Sequence, residues 1–171
     1  VGTVNKAKGI YEFIDLVNYS LTKDDNIEFC LITSSNIEKY NHLFKPGYER
    51  KLRIINKSKI TDLEIFNVIK ESFAIFSIHN VASQSGVLPI SYGLNTPTIM
   101  RNIPAFTQYS ISKDLVLPIN FTAKEIYEIC RKISSNKNNF VRYEKKCNQV
   151  FNKFFSKENF KKYYSVILKE M

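Results

Sequence analysis

Two segments of the chain carry residues suited to binding an anion. The first is a turn that bears two cations, Lys6 and Lys8, and ends at Gly9. The second is a small, polar stretch at residues 82–86, which precedes an apolar run of helix character. A Gly/Ser loop that leads into a helix exposes backbone N–H groups at the positive end of the helix dipole, where phosphate binds well. Because one segment supplies charge and the other backbone donors, together they suit a diphosphate.

The order of the predicted elements brings both segments to one edge of a sheet. Six short apolar runs have the length of strands, at residues 1–4, 27–33, 51–56, 73–78, 98–100 and 115–117. Amphipathic segments of helix length separate most of them, a pattern typical of an open α/β fold with a parallel sheet. Ligands of such folds bind beyond the carboxyl ends of the strands. Since both segments follow predicted strands, we expect them at that edge.

The C-terminal part of the chain is predicted to be helical. Two helices rich in lysine and aromatic residues are expected at residues 141–155 and 159–169. The length of 171 residues fits one domain. We therefore expect a single domain over residues 1–171, with a core at about residues 1–133 and C-terminal helices at residues 140–171.

The formal net charge of +9 indicates either an anionic partner or only a solvated basic surface. An anionic ligand, an anionic membrane surface and nucleic acid are the partners that such a charge suits. The basic residues are dispersed or concentrated in the predicted C-terminal helices, and no nucleic-acid-binding motif is present, so we expect no nucleic-acid partner. No apolar run approaches the roughly 18 residues that a membrane span requires.

The cysteines and histidines do not form a metal-binding pattern. Cys30, Cys130 and Cys147 are isolated, odd in number and without CxxC spacing, which argues for a reducing compartment and against a disulfide framework or a zinc site. Neither His42 nor His79 has a metal-ligand pattern beside it. We expect no metal and no cofactor.

The two anion-binding segments, in this order and at this separation, resemble the C-terminal, nucleotide-sugar-binding domain of GT-B glycosyltransferases, and most closely glycosyltransferase family 4. Members commonly begin this domain with V-G-R-x(4)-K-G before a helix; residues 1–9 keep this spacing, with Thr3 at the arginine position. Members then carry E-G-F-G-x(4)-E-A-x-A-x-G-x-P-V-I after a strand. Residues 75–99 keep the strand, the loop of small residues, the helix and the turn at Pro97. The resemblance spans nearly the whole chain.

This resemblance implies a fold and an activity. The fold would be a Rossmann-like open parallel sheet with helices on both faces, the C-terminal half of a GT-B enzyme whose N-terminal, acceptor-binding domain lies outside this chain. The enzyme would be a retaining, metal-independent hexosyltransferase that moves a sugar from a nucleotide diphosphate sugar to a glycan or lipid-linked acceptor, as in polysaccharide or lipopolysaccharide biosynthesis. We expect the fragment alone to be inactive.

The resemblance also implies a location in the cytoplasm. Enzymes that act on lipid-linked acceptors work at the inner face of the cell membrane, and the positive charge would suit peripheral association with an anionic membrane there. This part of the interpretation rests on analogy with the family.

Residue roles transfer from the family position by position. Lys8 matches the lysine that pairs with the donor diphosphate, and Thr3 would lie beside the phosphates and offer a hydroxyl. The backbone N–H groups around Ser85, Gly86 and Val87 would bind the same diphosphate.

The donor sugar and the base would meet other residues. Ser83, Gln84 and His79 are the candidates for the sugar and ribose, although a packing role for His79 is the stronger alternative. Asn56 and Ser58 follow the strand whose end usually meets the base. No catalytic residue is identified.

Two departures from the family pattern support an alternative function. The two glutamates of the second motif fall on Ala82 and Ile90, and neither side chain can replace a carboxylate. No Asp or Glu occurs anywhere in residues 72–112. The alternative to an enzyme with altered donor contacts is therefore a non-catalytic pseudo-glycosyltransferase or interaction module.

Overall fold

A computed structural model describes residues 1–81 and 86–159 of the chain. Within these residues the strands are Phe29–Thr33 (β1), Leu52–Asn56 (β2), Ile75–Ser77 (β3), Thr98–Arg101 (β4) and Val116–Leu117 (β5). The α-helices are Ile10–Ser20 (α1), Asp62–Glu71 (α2), Val87–Gly93 (α3), Pro104–Thr107 (α4), Ala123–Ser134 (α5) and Lys137–Phe154 (α6). Short 3₁₀ turns lie at Lys6–Lys8, Glu38–Leu43, Tyr48–Arg50 and Lys113–Leu115.

All paired strands are parallel, as predicted. β1 pairs with β2, with Phe29 opposite Leu52, and β4 lies between β3 and β5. Strands and helices alternate along the chain, and the helices flank the sheets, which confirms the predicted α/β class. The strands form a two-stranded and a three-stranded sheet rather than one continuous sheet.

The predicted strand at residues 1–4 is wrong. This segment lies along β1, where the Gly2 N–H donates to the Ile32 carbonyl at 3.1 Å and the Val4 N–H donates to Ser35 Oγ at 3.0 Å. A strand requires a ladder of backbone hydrogen bonds with its neighbour. Among the described residues, the segment makes a single backbone–backbone bond to β1, which is too few to extend the sheet.

Two helices differ from the sequence prediction. α4 was not predicted, because its four residues are too few to show a helical period; Pro104 stands at its start, where proline is tolerated. α6 begins four residues before the predicted start at residue 141. The Asn136 side chain accepts hydrogen bonds from the Asn138 and Asn139 N–H groups and so caps the helix there. The helix predicted at residues 159–169 lies almost wholly outside the described residues.

Local caps and packing explain the positions of the main helices. Thr61 and Glu64 form the capping box that begins α2: the Glu64 N–H donates to Thr61 Oγ1, and the Thr61 N–H donates to Glu64 Oε2. α1 buries one apolar face and packs against α5, while α3 packs against α6. In the part of the chain that the structure describes, no helix is long and apolar enough to cross a membrane.

Candidate functional site

The first predicted anion-binding segment is a tight, capped turn. Asn5 precedes the 3₁₀ turn Lys6–Lys8, and its Oδ1 accepts the Lys8 N–H at 3.1 Å. Gly9 then adopts the left-handed conformation, with φ of +81°, and leads directly into α1. The Lys8 side chain is half-buried, whereas Lys6 is exposed. The two lysines of this turn therefore occupy different surroundings although they are two residues apart.

The loop that leaves β3 toward the second segment touches the first segment. The Asn80 N–H donates to the Ala7 carbonyl at 2.8 Å, and Asn80 Nδ2 donates to the Lys6 carbonyl at 2.7 Å. Residues 1–4 do not form a strand, but they lie along β1, and the turn that follows them reaches the carboxyl edge where the loop after β3 begins. The structure thus brings the lysine turn and the loop after β3 together, as the sequence analysis expected.

A cavity of about 590 Å³ opens beside this contact. Five predicted site residues line it: Thr3, Lys8, His79, Gly86 and Val87. Residues of β1 and β3, including Phe29, Leu31 and Phe76, form an apolar part of the lining, and Glu28, Arg53 and Glu71 add charged groups. The lining thus holds the cation of Arg53 as well as that of Lys8, and Arg53 pairs with Glu71 at 3.6 Å. Ser83, Gln84 and Ser85 lie outside the described residues.

His79 is neutral at this edge of the cavity. Its ring packs edge-on against Phe106, with 5.2 Å between the ring centroids. Burial and, as a smaller cause, the nearby ammonium of Lys8 lower the pKa of His79 to about 4. Its Nδ1 is buried and has no hydrogen-bond partner among the described residues. The ring is therefore an uncharged hydrogen-bonding group at neutral pH.

The two predicted base contacts lie at the end of β2. Asn56 Nδ2 donates to the Thr33 carbonyl at 2.8 Å and to the Ser35 carbonyl at 2.9 Å, so its amide ties the end of β2 to the end of β1. Asn56 and Ser58 are exposed, and neither lines the 590 Å³ cavity. The structure gives Asn56 an architectural role, and base binding by these two residues stays a prediction.

The two glutamates of the family motif fall at Ala82 and Ile90. Ala82 lies outside the described residues, and Ile90 is half-buried in the middle of α3, where it supplies no carboxylate. Within residues 1–81 and 86–159, no three His, Cys, Asp or Glu side chains gather into a group that could hold a metal ion.

Sequence reasoning missed a buried polar network behind the site. Arg101, at the end of β4, donates through Nη1 to Asn80 Oδ1 and through Nη2 to Glu12 Oε1, the latter at 2.8 Å. Arg101 is only 8% exposed, and its guanidinium lies over the Phe121 ring. An arginine that ends an otherwise apolar strand is the signal that could have revealed this network, because buried charges need partners.

Comparison with known proteins shows the fold to which this arrangement belongs. No family model and no curated protein sequence matches the chain. Among solved structures, the C-terminal domain of the glycosyl transferase group 1 family protein LpcC from Francisella tularensis has a TM-score of 0.72 at 13% identity. That match covers 92% of this chain and 84% of that one.

Two further glycosyltransferases have the same architecture. WaaG, which is involved in lipopolysaccharide biosynthesis, matches with a TM-score of 0.71 at 14% identity, over 89% of this chain and 41% of its own. The catalytic domain of cholesterol-alpha-glucosyltransferase from Helicobacter pylori matches with a TM-score of 0.67 at 17% identity, over 89% and 94%. The chain has the fold of the C-terminal domain of GT-B, group 1 glycosyltransferases, which confirms at the level of the fold the resemblance that its two motifs carry.

Proposed function

We propose that this chain is the donor-binding domain of a glycosyltransferase that uses a nucleotide diphosphate sugar. The observation that carries the proposal is the contact between the first predicted segment and the loop that leads to the second: Asn80 ties the Lys6–Lys8 turn to the residues after β3, and Lys8 and His79 line one cavity. The glycosyltransferase fold gives this arrangement its context, since the same two segments carry the family motifs.

The arrangement suits stabilisation of a leaving diphosphate without a metal. Lys8 would supply a positive charge, and the N–H groups of Gly86 and Val87 would add hydrogen bonds, while Thr3 would offer a hydroxyl. Preorganised donors stabilise the charge that develops as the sugar leaves, which is the electrostatic form of catalysis. His79, which is neutral, would hydrogen-bond the donor rather than carry charge. The reaction would retain the configuration of the sugar, as in the family that the motifs resemble.

The other half of the reaction would require a second domain. An N-terminal domain of the full-length protein would bind the acceptor, a glycan or a lipid-linked sugar, and supply any catalytic base. The isolated 171-residue chain would then bind the donor weakly and transfer nothing. By analogy with the family the enzyme would work in the cytoplasm, where the net positive charge would favour association with the anionic inner face of the membrane.

Two lysines in one turn provide a matched test. Lys8→Ala and Lys6→Ala remove the same charge, but only Lys8 lines the cavity, whereas Lys6 is exposed. Calorimetric titration of the chain with UDP and with GDP should show binding that Lys8→Ala weakens roughly tenfold and Lys6→Ala leaves within about twofold. Equal losses of affinity in the two variants would indicate only long-range electrostatic attraction of the nucleotide. Lys8 would then not be a residue of the binding site.

A non-catalytic module is the second candidate, and the lack of carboxylates favours it. No Asp or Glu occurs in residues 72–112, and Ile90 stands where the family has a glutamate. If neither nucleoside diphosphate shifts the NMR signals of Lys8, His79 and Gly86 at millimolar concentration, this alternative replaces the donor-binding function.

A further inference from the structure

Asn80, in the loop after β3, ties that loop to the Lys6–Lys8 turn of the proposed donor site. Its backbone N–H and its side-chain Nδ2 both donate to the Lys6–Lys8 turn, at 2.8 Å to the Ala7 carbonyl and 2.7 Å to the Lys6 carbonyl. Asn80 itself does not line the cavity. Two hydrogen bonds from one residue fix both the distance and the orientation of the turn that presents Lys8.

Arg101 determines how the Asn80 side chain is oriented. Nη1 of Arg101 donates to Asn80 Oδ1, and this bond leaves Nδ2 on the other side of the amide, where it meets the Lys6 carbonyl. Without the guanidinium, the amide could rotate and exchange its donor and acceptor ends. Arg101 therefore acts on the Lys8 turn indirectly, because it orients the Asn80 side chain that is hydrogen-bonded to the turn.

Glu12 and Phe121 hold Arg101 in place. Glu12 Oε1 accepts Arg101 Nη2 at 2.8 Å, and the guanidinium carbon lies 4.7 Å from the centre of the Phe121 ring. The ion pair is single rather than bidentate, because Arg101 Nε and Glu12 Oε2 are buried without partners among the described residues. Asn80 is thus the second hydrogen-bonding partner that orients the guanidinium.

A contribution to stability alone does not account well for this network. Taking a charged pair out of water costs about as much free energy as its attraction returns, so buried ion pairs are weak stabilising elements. Arg101 is nearly inaccessible, and it does not line the cavity, so it is not placed to touch a ligand. The network instead connects three elements that meet at the carboxyl edge of the strands: α1, the end of β4 and the loop after β3.

We infer that Arg101 and Asn80 are positioning residues of the donor site, which hold the Lys8 turn against the loop after β3 at the spacing that a diphosphate requires. This inference rests on the proposed function, because it assigns the network to the same site. Both residues act through Lys8 rather than on the ligand. Their effects on ligand binding must therefore depend on the presence of Lys8.

A double-mutant cycle tests that dependence. Asn80→Ala in the full chain should weaken UDP binding roughly three- to tenfold, and it should add nothing in a Lys8→Ala background. Arg101→Lys, which keeps the charge but cannot donate in two fixed directions, should weaken binding in the same way. If the effects of Asn80→Ala and Lys8→Ala multiply, or if Asn80→Ala leaves the affinity within twofold, the inference is wrong.

Asn136→Ala is the control for loss of stability. It removes the cap of α6, which does not line the cavity and lies beyond the end of α5 opposite to Phe121, and it should lower the melting temperature while UDP affinity stays unchanged. An equal loss of UDP affinity in Asn136→Ala would show that general destabilisation explains the Asn80 result, and would overturn the positioning role.

A ligand-free measurement separates this inference from the proposed function. The Lys8 and Gly9 N–H groups are hydrogen-bonded within the turn, so their exchange with solvent reports its order. Asn80→Ala should speed their exchange several-fold, whereas Asn136→Ala should not. If the wild-type chain binds no nucleoside diphosphate, the proposed function fails, and unchanged exchange in Asn80→Ala would independently overturn the positioning role.

Discussion

The carbonyl oxygen of Ile78 lies 2.5 Å from the point at which a β-carbon on Gly9 would stand. This approach presses the end of the Lys6–Lys8 turn against the backbone that leaves β3. Gly9 also has a φ of +81°, a left-handed conformation that residues other than glycine rarely adopt. Two independent constraints therefore require glycine at the position where the first motif ends and α1 begins.

Gly9→Ala should destabilise the chain and displace the lysine turn. The left-handed conformation would cost about 1–2 kcal/mol, and the contact with the Ile78 backbone would add to it, because a backbone atom cannot move aside cheaply. Urea unfolding should show a loss of at least about 2 kcal/mol. UDP affinity should fall as well, since Lys8 lies in the displaced turn.

Gly47→Ala is a matched control for Gly9→Ala. Gly47 has nearly the same φ, +82°, but the nearest atoms to an added β-carbon belong to the flexible end of the Arg50 side chain. This variant should lose about 1 kcal/mol and keep its UDP affinity. Equal losses of stability in the two variants would show that the contact with Ile78 has no energetic weight.

Protonation of His79 should make the chain less stable as the pH falls. The pKa of His79 is lowered to about 4 in the folded chain, whereas in the unfolded chain it should lie at about 6.5. Between these values the unfolded state binds the proton and the folded state does not, so stability falls from pH 6.5 toward pH 4. Because solvent still reaches part of the ring, we expect a loss of about 1 kcal/mol from this group between pH 7 and pH 5.

Unfolding at pH 7 and pH 5 in His79→Gln measures that contribution. The change in the free energy of unfolding between pH 7 and pH 5 should be about 1 kcal/mol smaller in His79→Gln than in the wild type. Because each protein is compared with itself, the packing against Phe106 that the variant loses at both pH values cancels. His42→Gln, at an exposed position, should keep the wild-type difference. The same pH dependence in His79→Gln and the wild type would contradict the lowered pKa.

Asn56→Ala should separate the ends of β1 and β2. The side-chain amide donates to the Thr33 and Ser35 carbonyls, and its loss should lower the free energy of unfolding by about 1–2 kcal/mol. Asn56→Asp should lower it at least as much, because a carboxylate would face two carbonyl oxygens. Ser58→Ala, at the neighbouring exposed position, should be neutral, and chemical denaturation distinguishes the three variants. If Asn56→Ala leaves the free energy of unfolding unchanged, the architectural role is contradicted and base binding stays as the proposed role of this residue.

Tyr92→Phe should lower stability without changing ligand binding. The Tyr92 hydroxyl donates to the Tyr109 carbonyl at 3.0 Å, and the side chain is fully buried in α3, which packs against α6. Removing the hydroxyl leaves that carbonyl unpaired, so the variant should lose about 1–2 kcal/mol. Tyr11→Phe, at a side chain that is 44% exposed, should lose little. Thermal unfolding of both variants, followed by UDP titration, checks the prediction; reduced UDP affinity in Tyr92→Phe would contradict it.

Local patterns in the sequence determined most of the elements. The spacing of Thr61 and Glu64 marked the start of α2, and the apolar period of residues 10–21 marked α1, because caps and buried faces depend on residues a few positions apart. The order of strands and helices indicated that the sheets are parallel, and hence that the loops after the strands lie at one edge. Segments too short to show a period were missed, as α4 demonstrates.

Only the tertiary structure decided how that edge is held together. Glu12 and Arg101 are 89 residues apart, and Asn80 and Lys6 are 74 apart, so no local pattern could pair them. The Gly9 contact with Ile78 and the failure of residues 1–4 to form a strand likewise depend on distant neighbours. The sequence by itself predicted that a cationic turn and a polar loop would lie at one edge, since the alternation of strands and helices, which local periodicity shows, is typical of parallel strands. Their spacing, and the buried arginine that maintains it, arise from side-chain packing between elements, which local periodicity does not encode.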